Sequence, residues 1–376
     1  MLYRWLRRLH LALFLISAVP LTLLSLTGAL LVYGPELQEA LEPEIWAVEP
    51  RGAPLPVREL LGRVAEQRPE LKPWSVAFDP RPDRAWRIWL GGGQGAMNVD
   101  PYDGRVLAHY HPNRSAQGIV TALHRRWLVD DKTAAPWVRH AVSAVALALM
   151  LQVLVGVGIW LTPPRRLARL SVDFSKRPRM VVIRLHQLAG VTTALLLMAV
   201  AFTGLAMYWH VPARAAIEAA TGSRVAEQPE LETAGRAPIA DLDAAVAVGR
   251  AAFPEARLRH LRVPSRPGDA AVLHLEADGI GPPSRVWVGD HPPRILALQD
   301  GAAASTATWI WQMRYPLHVG EFAGPVVRAL WVVVALMPAA FVGTGLWLYG
   351  NRRRYAWAIP ADPTPRGGGR PRTSSN

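Results

Sequence analysis

The chain contains eleven histidines and no cysteine, and that combination decides which chemistry is open to it. Thiol nucleophiles, disulfides, thiolate-held iron–sulfur clusters and thioether-attached haem are excluded. A redox group would have to be held by imidazole or without a covalent bond. Two histidines stand in one frame: Arg8-Leu9-His10 is followed by Thr27-Gly28, and Arg184-Leu185-His186 by Thr203-Gly204. The two 21-residue windows agree at only seven positions, and this frame supplies five of them. A histidine kept between otherwise diverged apolar segments points to a role, because polar side chains within a membrane are costly. His124 in "LHRRWL" and His318 in "LHVGEF" form a second matched pair. His140 lies deeper in the apolar run that follows and has no counterpart in the second half, where Val326–Arg328 stands. Both His124 and His140 are therefore candidates to partner His318.

Neutral imidazole suits iron, and two imidazoles aimed at one axis from opposite sides are what an axially bis-ligated b-type haem requires. His10 with His186 would hold one haem b, and His318 with His124 or His140 a second. Eighteen residues at 1.5 Å rise place Gly28 and Gly204 roughly 27 Å from His10 and His186, near the opposite membrane face. The second and fourth apolar runs end in "GVGIWL" and "GTGLWL", placing Gly156, Gly158, Gly343 and Gly345 at the level of His10 and His186. Gly28, Gly204, Gly158 and Gly345 are thus candidates to make room for a macrocycle, or equally small-residue packing positions. Arg125, Arg126, Arg139 and Arg314 are candidates to pair with propionates or an anionic substrate, or alternatively interfacial side chains that reach for water. His109 and His111 share a strand face, but two ligands without a third read as a solvated strand edge. The "GGGQGA" run at 91–96 leads from strand to strand with no helix N-terminus for a phosphate, so it reads as a hairpin turn. The sequence carries no nucleotide or flavin fingerprint.

These side chains need a membrane scaffold. Four apolar runs, about 9–33, 137–161, 185–209 and 325–350, are each long enough to cross a hydrocarbon core of ~30 Å. Within lipid the backbone must satisfy its own hydrogen bonds, so all four are expected as helices. The first run, with Pro20 and Gly28 and no small-residue cleavage site, reads as a retained helix rather than a signal peptide. Sixteen basic residues fall in the stub 1–8, the loop 162–184 and the tail 351–376, against only Asp173 and Asp362; the rest of the chain nets −1. Basic loops stay cytoplasmic, so both termini are expected inside a bacterial inner membrane, with the long segments 34–136 and 210–324 in the periplasm. The overall charge of +13 is then topological and gives no support to nucleic-acid binding. The tail after Pro360, rich in Pro, Gly, Arg and Ser, reads as disordered.

The organisation is expected to be two parallel repeats, each a helix, an external domain, an L-H segment (121–136 and 311–324) and a returning helix. The fold class is an α-helical membrane protein, a four-helix transmembrane bundle carrying two small α+β domains at 34–120 and 210–310. In the first domain "PVRELLGRVAEQRPEL" has helical spacing and strands are expected near 84–90, 96–100 and 105–110. In the second, "IADLDAAVAVGRAAFPEARL" is the helix and "AAVLHLEA", "SRVWVGD" and "RILAL" the strands.

The Arg-Leu-His start, the Thr-Gly exit, "VDPYDGRVL", the L-H segments and "PLHVGEFAGP" together resemble the PepSY-associated transmembrane family over about 4–350. The second domain departs from the pattern, with "GDHPPRIL" where "VDPYDGRVL" is expected. The resemblance implies a haem-bearing four-helix core with two periplasmic PepSY domains, and an oxidoreductase that passes electrons to a ferric siderophore or another periplasmic ferric chelate. The donor would be a quinol or a cytoplasmic reductase. The alternatives are a cytochrome b subunit serving a separate periplasmic oxidoreductase, and a non-enzymatic PepSY protein that regulates peptides or a protease.

Overall fold

The computed structural model describes residues 1–164, 166–231, 239 and 241–357. The tail after Pro360, expected to be disordered, lies outside the described residues. Four helices are long and apolar enough to cross a membrane: α1 (Leu2–Val32), α5 (Ala134–Leu161), α6 (Pro178–Ala206) and α10 (Gly324–Trp357), the last as far as Asn351. All four begin before the apolar run that announced them, α1 and α6 by taking in Arg4, Arg7, Arg8 and Arg179, while α6 ends at Ala206, short of the expected 209. The four form a ring in which α1 touches α5 and α10, and α6 touches the same two. Helices α1 and α6, the carriers of His10 and His186, therefore face each other across the ring.

Two prolines interrupt this bundle, Pro20 in α1 and Pro338 in α10. Beside the second, Ser25 of α1 donates to the Ala335 carbonyl and accepts from the Ala339 N–H at 3.1 Å. The hydroxyl thus sits inside the i→i−4 ladder of α10, as a partner for backbone groups opened next to a proline. Gln152 of α5 reaches Ser17 of α1 at 3.3 Å, so polar groups of neighbouring helices satisfy one another away from water.

Outside the bundle, α2 (Gly34–Leu41) leaves α1, and α4 (Ala116–Arg126) returns to α1 before α5 begins. Helix α7 (His210–Thr221) leaves α6, and α9 (Thr306–Val319) returns to α6 before α10. The expected L-H segments are thus helices in their own right. Between them lie α3 (Val57–Gln67) with β1 (Pro73–Ala77), β2 (Trp86–Leu90), β3 (Ala96–Val99) and β4 (Val106–Tyr110). The second half supplies α8 (Leu242–Ala251) with β5 (Arg257–Arg262), β6 (Ala271–Glu276), β7 (Ser284–Gly289) and β8 (Arg294–Gln299).

All eight strands belong to one antiparallel sheet in the order β4-β3-β2-β1-β5-β6-β7-β8, joined at its centre by β1 and β5 with Val76 opposite Leu261. One face of the sheet is apolar. Leu60 and Val64 of α3 bury against Val76, Ile88, Met97 and Val99. Ala245 of α8 buries against Leu261, Leu273, Leu275, Val286 and Val288. Leu61 and Phe78 touch both cores. The N-terminus of α3 is capped from the other half, where Asp243 accepts the Val57 N–H at 2.7 Å, satisfying a donor that the helix leaves open.

Candidate functional site

His10 on α1 and His186 on α6 face each other with ring centres 6.4 Å apart and planes 85° apart. They line a cavity of about 690 Å³ between the four spanning helices, whose mouth carries Arg4, Arg7, Arg8 and Arg179. That volume is within the range of pockets that enclose an organic ligand. His124 on α4 and His318 on α9 face each other with centres 6.3 Å apart. Helix α4 lays His124 against Thr27 of α1, and α9 lays His318 against Thr203 of α6. Along α1, His10 and Thr27 are seventeen residues apart, so the two histidine pairs lie roughly 25 Å from each other along the helix axis.

Hydrogen bonds decide which ring nitrogen is free. Thr27 donates its single hydroxyl proton to the Leu23 carbonyl (2.6 Å), so toward His124 Nδ1, 2.9 Å away, it must act as acceptor. His318 Nδ1 lies 3.0 Å from the Val200 carbonyl, which only accepts, and 3.1 Å from Thr203 Oγ1. Thr344 of α10 donates to the Ala340 carbonyl at 3.0 Å and accepts from His186 Nδ1 at 2.8 Å. In all three rings Nδ1 therefore carries the proton, and Nε2 keeps a lone pair. That is the neutral tautomer that ligates metals, oriented by a second partner on its other nitrogen.

His10 is the exception. Its Nδ1 is buried without a hydrogen bond of good geometry, the Gln152 carbonyl being its backbone neighbour. In the matched glycine frames, Gly343-Thr344-Gly345 of α10 supplies the hydroxyl for His186, whereas Gly156-Val157-Gly158 of α5 has valine in that place. The missing hydroxyl accounts for the orphaned nitrogen.

The separation of the rings bears on what the pairs could hold. Two imidazoles ligating one metal from opposite sides at ~2.0–2.1 Å per bond, with about one further ångström from nitrogen to ring centre, have centres roughly 6 Å apart. Both pairs have that spacing. Among the described residues no three histidines, cysteines or carboxylates come together as a self-sufficient metal site. Each pair could supply two ligands to a metal whose remaining ligands come from a planar group, as in a b-type haem.

The glycines do something different from what their level in the membrane suggested. A Cβ on Gly204 would stand 2.9 Å from His318 Cε1, and one on Gly28 3.3 Å from His124 Cε1. On Gly156 it would stand 3.4 Å from His10 Cε1. Their open space is filled by the imidazoles themselves. The Thr-Gly exit is a seat for a ring: threonine receives the Nδ1 proton and glycine admits the ring edge. Gly345, beside Phe14, lines the cavity, while Gly158 packs near Leu6.

Of the other sequence candidates, His140 is exposed and accepts from Trp209 Nε1 at 2.9 Å through Nδ1, with its ring 4.9 Å from Tyr208. Its proton is thereby placed on Nε2, the reverse of the three paired rings, and the ring that faces His318 is His124. Arg125 is exposed, and Arg139 is exposed over the Tyr208 ring at 6.0 Å. Arg126 pairs with Asp130 at 2.6 Å. Arg314 stacks on Trp311 at 4.2 Å, and burial, with the charge of Arg285 added, lowers its guanidinium below the usual range. His109 Nε2 bonds the Gln94 carbonyl at 2.7 Å. Thr344 was the functional residue least visible in the sequence; its signal was the hydroxyl inside a repeated glycine frame.

A family model described as the PepSY-associated TM region matches residues 7–352. No curated protein matches the chain.

Proposed function

The chain belongs to the PepSY-associated transmembrane family, and from that premise we propose that it is a two-haem b-type reductase of a bacterial inner membrane. It moves electrons from a cytoplasmic or quinol donor to a ferric siderophore, or another ferric chelate, at the periplasmic face. The observation that carries this reading is the pair of facing imidazole couples at 6.4 and 6.3 Å, with Nδ1 of three of the four rings bonded to a hydroxyl or carbonyl of a neighbouring helix. Each bound haem would supply a one-electron carrier, and reduction of the ferric substrate weakens its hold on hard oxygen ligands.

The chain's own contribution is position and charge. His10 and His186 would hold the haem at the basic end, with Arg7, Arg8 and Arg179 available to its propionates. His124 and His318 would hold the second, oriented by Thr27, Thr203 and the Val200 carbonyl. Phe14, Leu149, Val153 and Phe341 add apolar walls around the inner pair. No acid–base residue is needed for electron transfer between carriers.

The test is an optical spectrum of the protein purified after expression with ample haem, oxidised and then dithionite-reduced. Two low-spin b-type components are expected; His10→Ala or His186→Ala should remove one and His318→Ala the other. Absence of haem bands would refute the proposal. Haem bands without reoxidation by a ferric chelate would assign the substrate to a partner oxidoreductase.

A further inference from the structure

The sheet has a second face, turned away from α3 and α8, and one row of side chains crosses it from edge to edge. Directly paired residues run Ala108, Asn98, Arg87, Ala77, His260, His274, Arg285, Gln299. Partners directly opposite in antiparallel strands share a face, and their chain neighbours Ile88, Val76, Leu261, Leu273 and Val286 are fully buried on the other. The row contains two arginines and two histidines and no carboxylate.

At the β2 end the row is sealed: Arg87 lies on Trp46 at 4.5 Å, and Asn98 donates to the Ile45 carbonyl at 2.8 Å. Toward β7 its polar groups lack partners. Among the described residues Arg285 makes no ion pair, and its Nε is buried without an acceptor. Arg314 of α9 is in the same condition at Nε, and its charge and that of Arg285 oppose each other. The nearest ion pair along the row occupies its own carboxylate, Glu276 being bonded to Arg259 at 2.9 Å. The row ends at Gln299, which lines a cavity of about 350 Å³ together with Gln312 and Asp300. Gln299 Nε2 donates to the Glu227 carbonyl at 3.0 Å, leaving Oε1 buried and without a donor; Gln312 Oε1 is likewise without one.

Two guanidiniums lacking an anion beside two amide oxygens lacking a donor describe a ligand by complement. Guanidinium forks take carboxylates in bidentate fashion, and buried amide oxygens take hydroxyl protons, since burial without a partner is costly. We propose that this end of the sheet, from His274 through Arg285 and Arg314 to Gln299 and Gln312, binds an anionic ferric chelate whose ligands are hydroxycarboxylates. Arg314 and His318 are four residues apart on α9, one turn of helix, so a chelate held there stands beside the outer histidine pair. The iron in this assignment rests on the reductase reading; the recognition of carboxylate does not.

The experiment uses the full detergent-solubilised protein and the gallium(III) citrate complex, which binds as an anion and is not reduced. Calorimetric titration of the unsubstituted protein should show saturable binding that weakens as salt is raised. Arg285→Gln and Arg314→Gln should each weaken it about 10-fold or more, the scale of one lost charge-assisted hydrogen-bond pair. Arg285→Lys, which keeps the charge, should bind more tightly than Arg285→Gln, and Arg51→Gln, remote from the row, should match the unsubstituted protein. An unchanged elution volume and haem spectrum certify each variant as folded. No binding by the unsubstituted protein, equal binding by folded Arg285→Gln and Arg314→Gln, or equal affinity for a cationic gallium trihydroxamate would overturn the proposal. Because gallium takes no electron, absence of binding by the unsubstituted protein with haem intact refutes this site alone. Binding without haem refutes the reductase alone.

Discussion

Replacing Gly204 by alanine tests how the outer histidine pair is held. The added Cβ would lie 2.9 Å from Cε1 and 3.5 Å from Nδ1 of His318. Comfortable carbon contacts begin near 3.5 Å, so the ring must withdraw by roughly half an ångström or more. It is not free to do so, because its Nδ1 proton lies between the Val200 carbonyl at 3.0 Å and Thr203 Oγ1 at 3.1 Å. Withdrawal sacrifices part of a buried hydrogen bond worth about 1–3 kcal/mol, and overpacking costs a similar 1–3 kcal/mol. Alanine returns up to about 1 kcal/mol of helix propensity. The net expectation is a weakening of the outer pair by about 1–3 kcal/mol, or roughly 5- to 150-fold in its affinity for haem. Gly28→Ala, at 3.3 Å from His124, should be milder, and Gly156→Ala, at 3.4 Å from His10, milder still and confined to the inner pair. Gly62→Ala on α3, with open space around it, serves as the neutral control. The assay is the haem-to-protein ratio with the reduced-minus-oxidised spectrum resolved into two components. If Gly204→Ala keeps both components at the level of Gly62→Ala, the close approach of ring and helix is not what holds His318.

Thr203→Val and Thr27→Val should each weaken haem binding at the outer pair about 5-fold, the scale of one buried hydrogen bond, leaving the inner component unchanged; loss of the inner component instead would contradict the pairing. Val157→Thr should supply the hydroxyl that His10 lacks and raise inner haem affinity by a comparable factor, read by haem competition with an apoprotein acceptor; a decrease would show that the hydroxyl does not reach Nδ1. Burial holds His274 near 4, with Arg285 and then His260 adding to the effect. The unfolded chain binds this proton near 6.5 and the folded sheet does not, so stability is complete above about 6.5 and is lost as pH falls toward 4, by at most about 3 kcal/mol. Thermal melts across that window should show the loss, and His274→Gln should flatten it; an equal slope in the variant would assign the loss to other groups.

Much of the membrane part was legible because its rules are local. A run of apolar residues must become a helix in lipid, basic loops mark one end, and a repeated Arg-Leu-His to Thr-Gly frame sets histidines at fixed rises along two helices. His10 with His186 was accessible from that frame, and His124 with His318 from the matched Leu-His segments. The threonines belong to that frame as well, yet their task does not follow from it, since a hydroxyl reads the same whether it bonds its own helix or a ring from another. The choice of His124 over His140 was likewise hidden, because it depends on which ring nitrogen Trp209 occupies.

The external segments show the limit more sharply. The helix of each half and strands β2 to β4 and β6 to β8 follow from alternation and turns within one stretch of chain. Strands β1 and β5 did not, and they are the two that join the halves. β5 reads Arg-Leu-Arg-His-Leu-Arg, with polar side chains because its second face is not a core, and its partner Val76 lies about 180 residues away in the other segment. The sequence alone therefore determined the membrane helices, the depth of the histidines and the absence of thiol chemistry, all consequences of side-chain type and rise per residue. Only the tertiary structure decided that the two external segments share one sheet, that glycine and threonine form a seat for each outer imidazole, and that two unpaired arginines meet. Those are contacts between elements far apart in the chain, and backbone pairing across such distances leaves no period in the sequence.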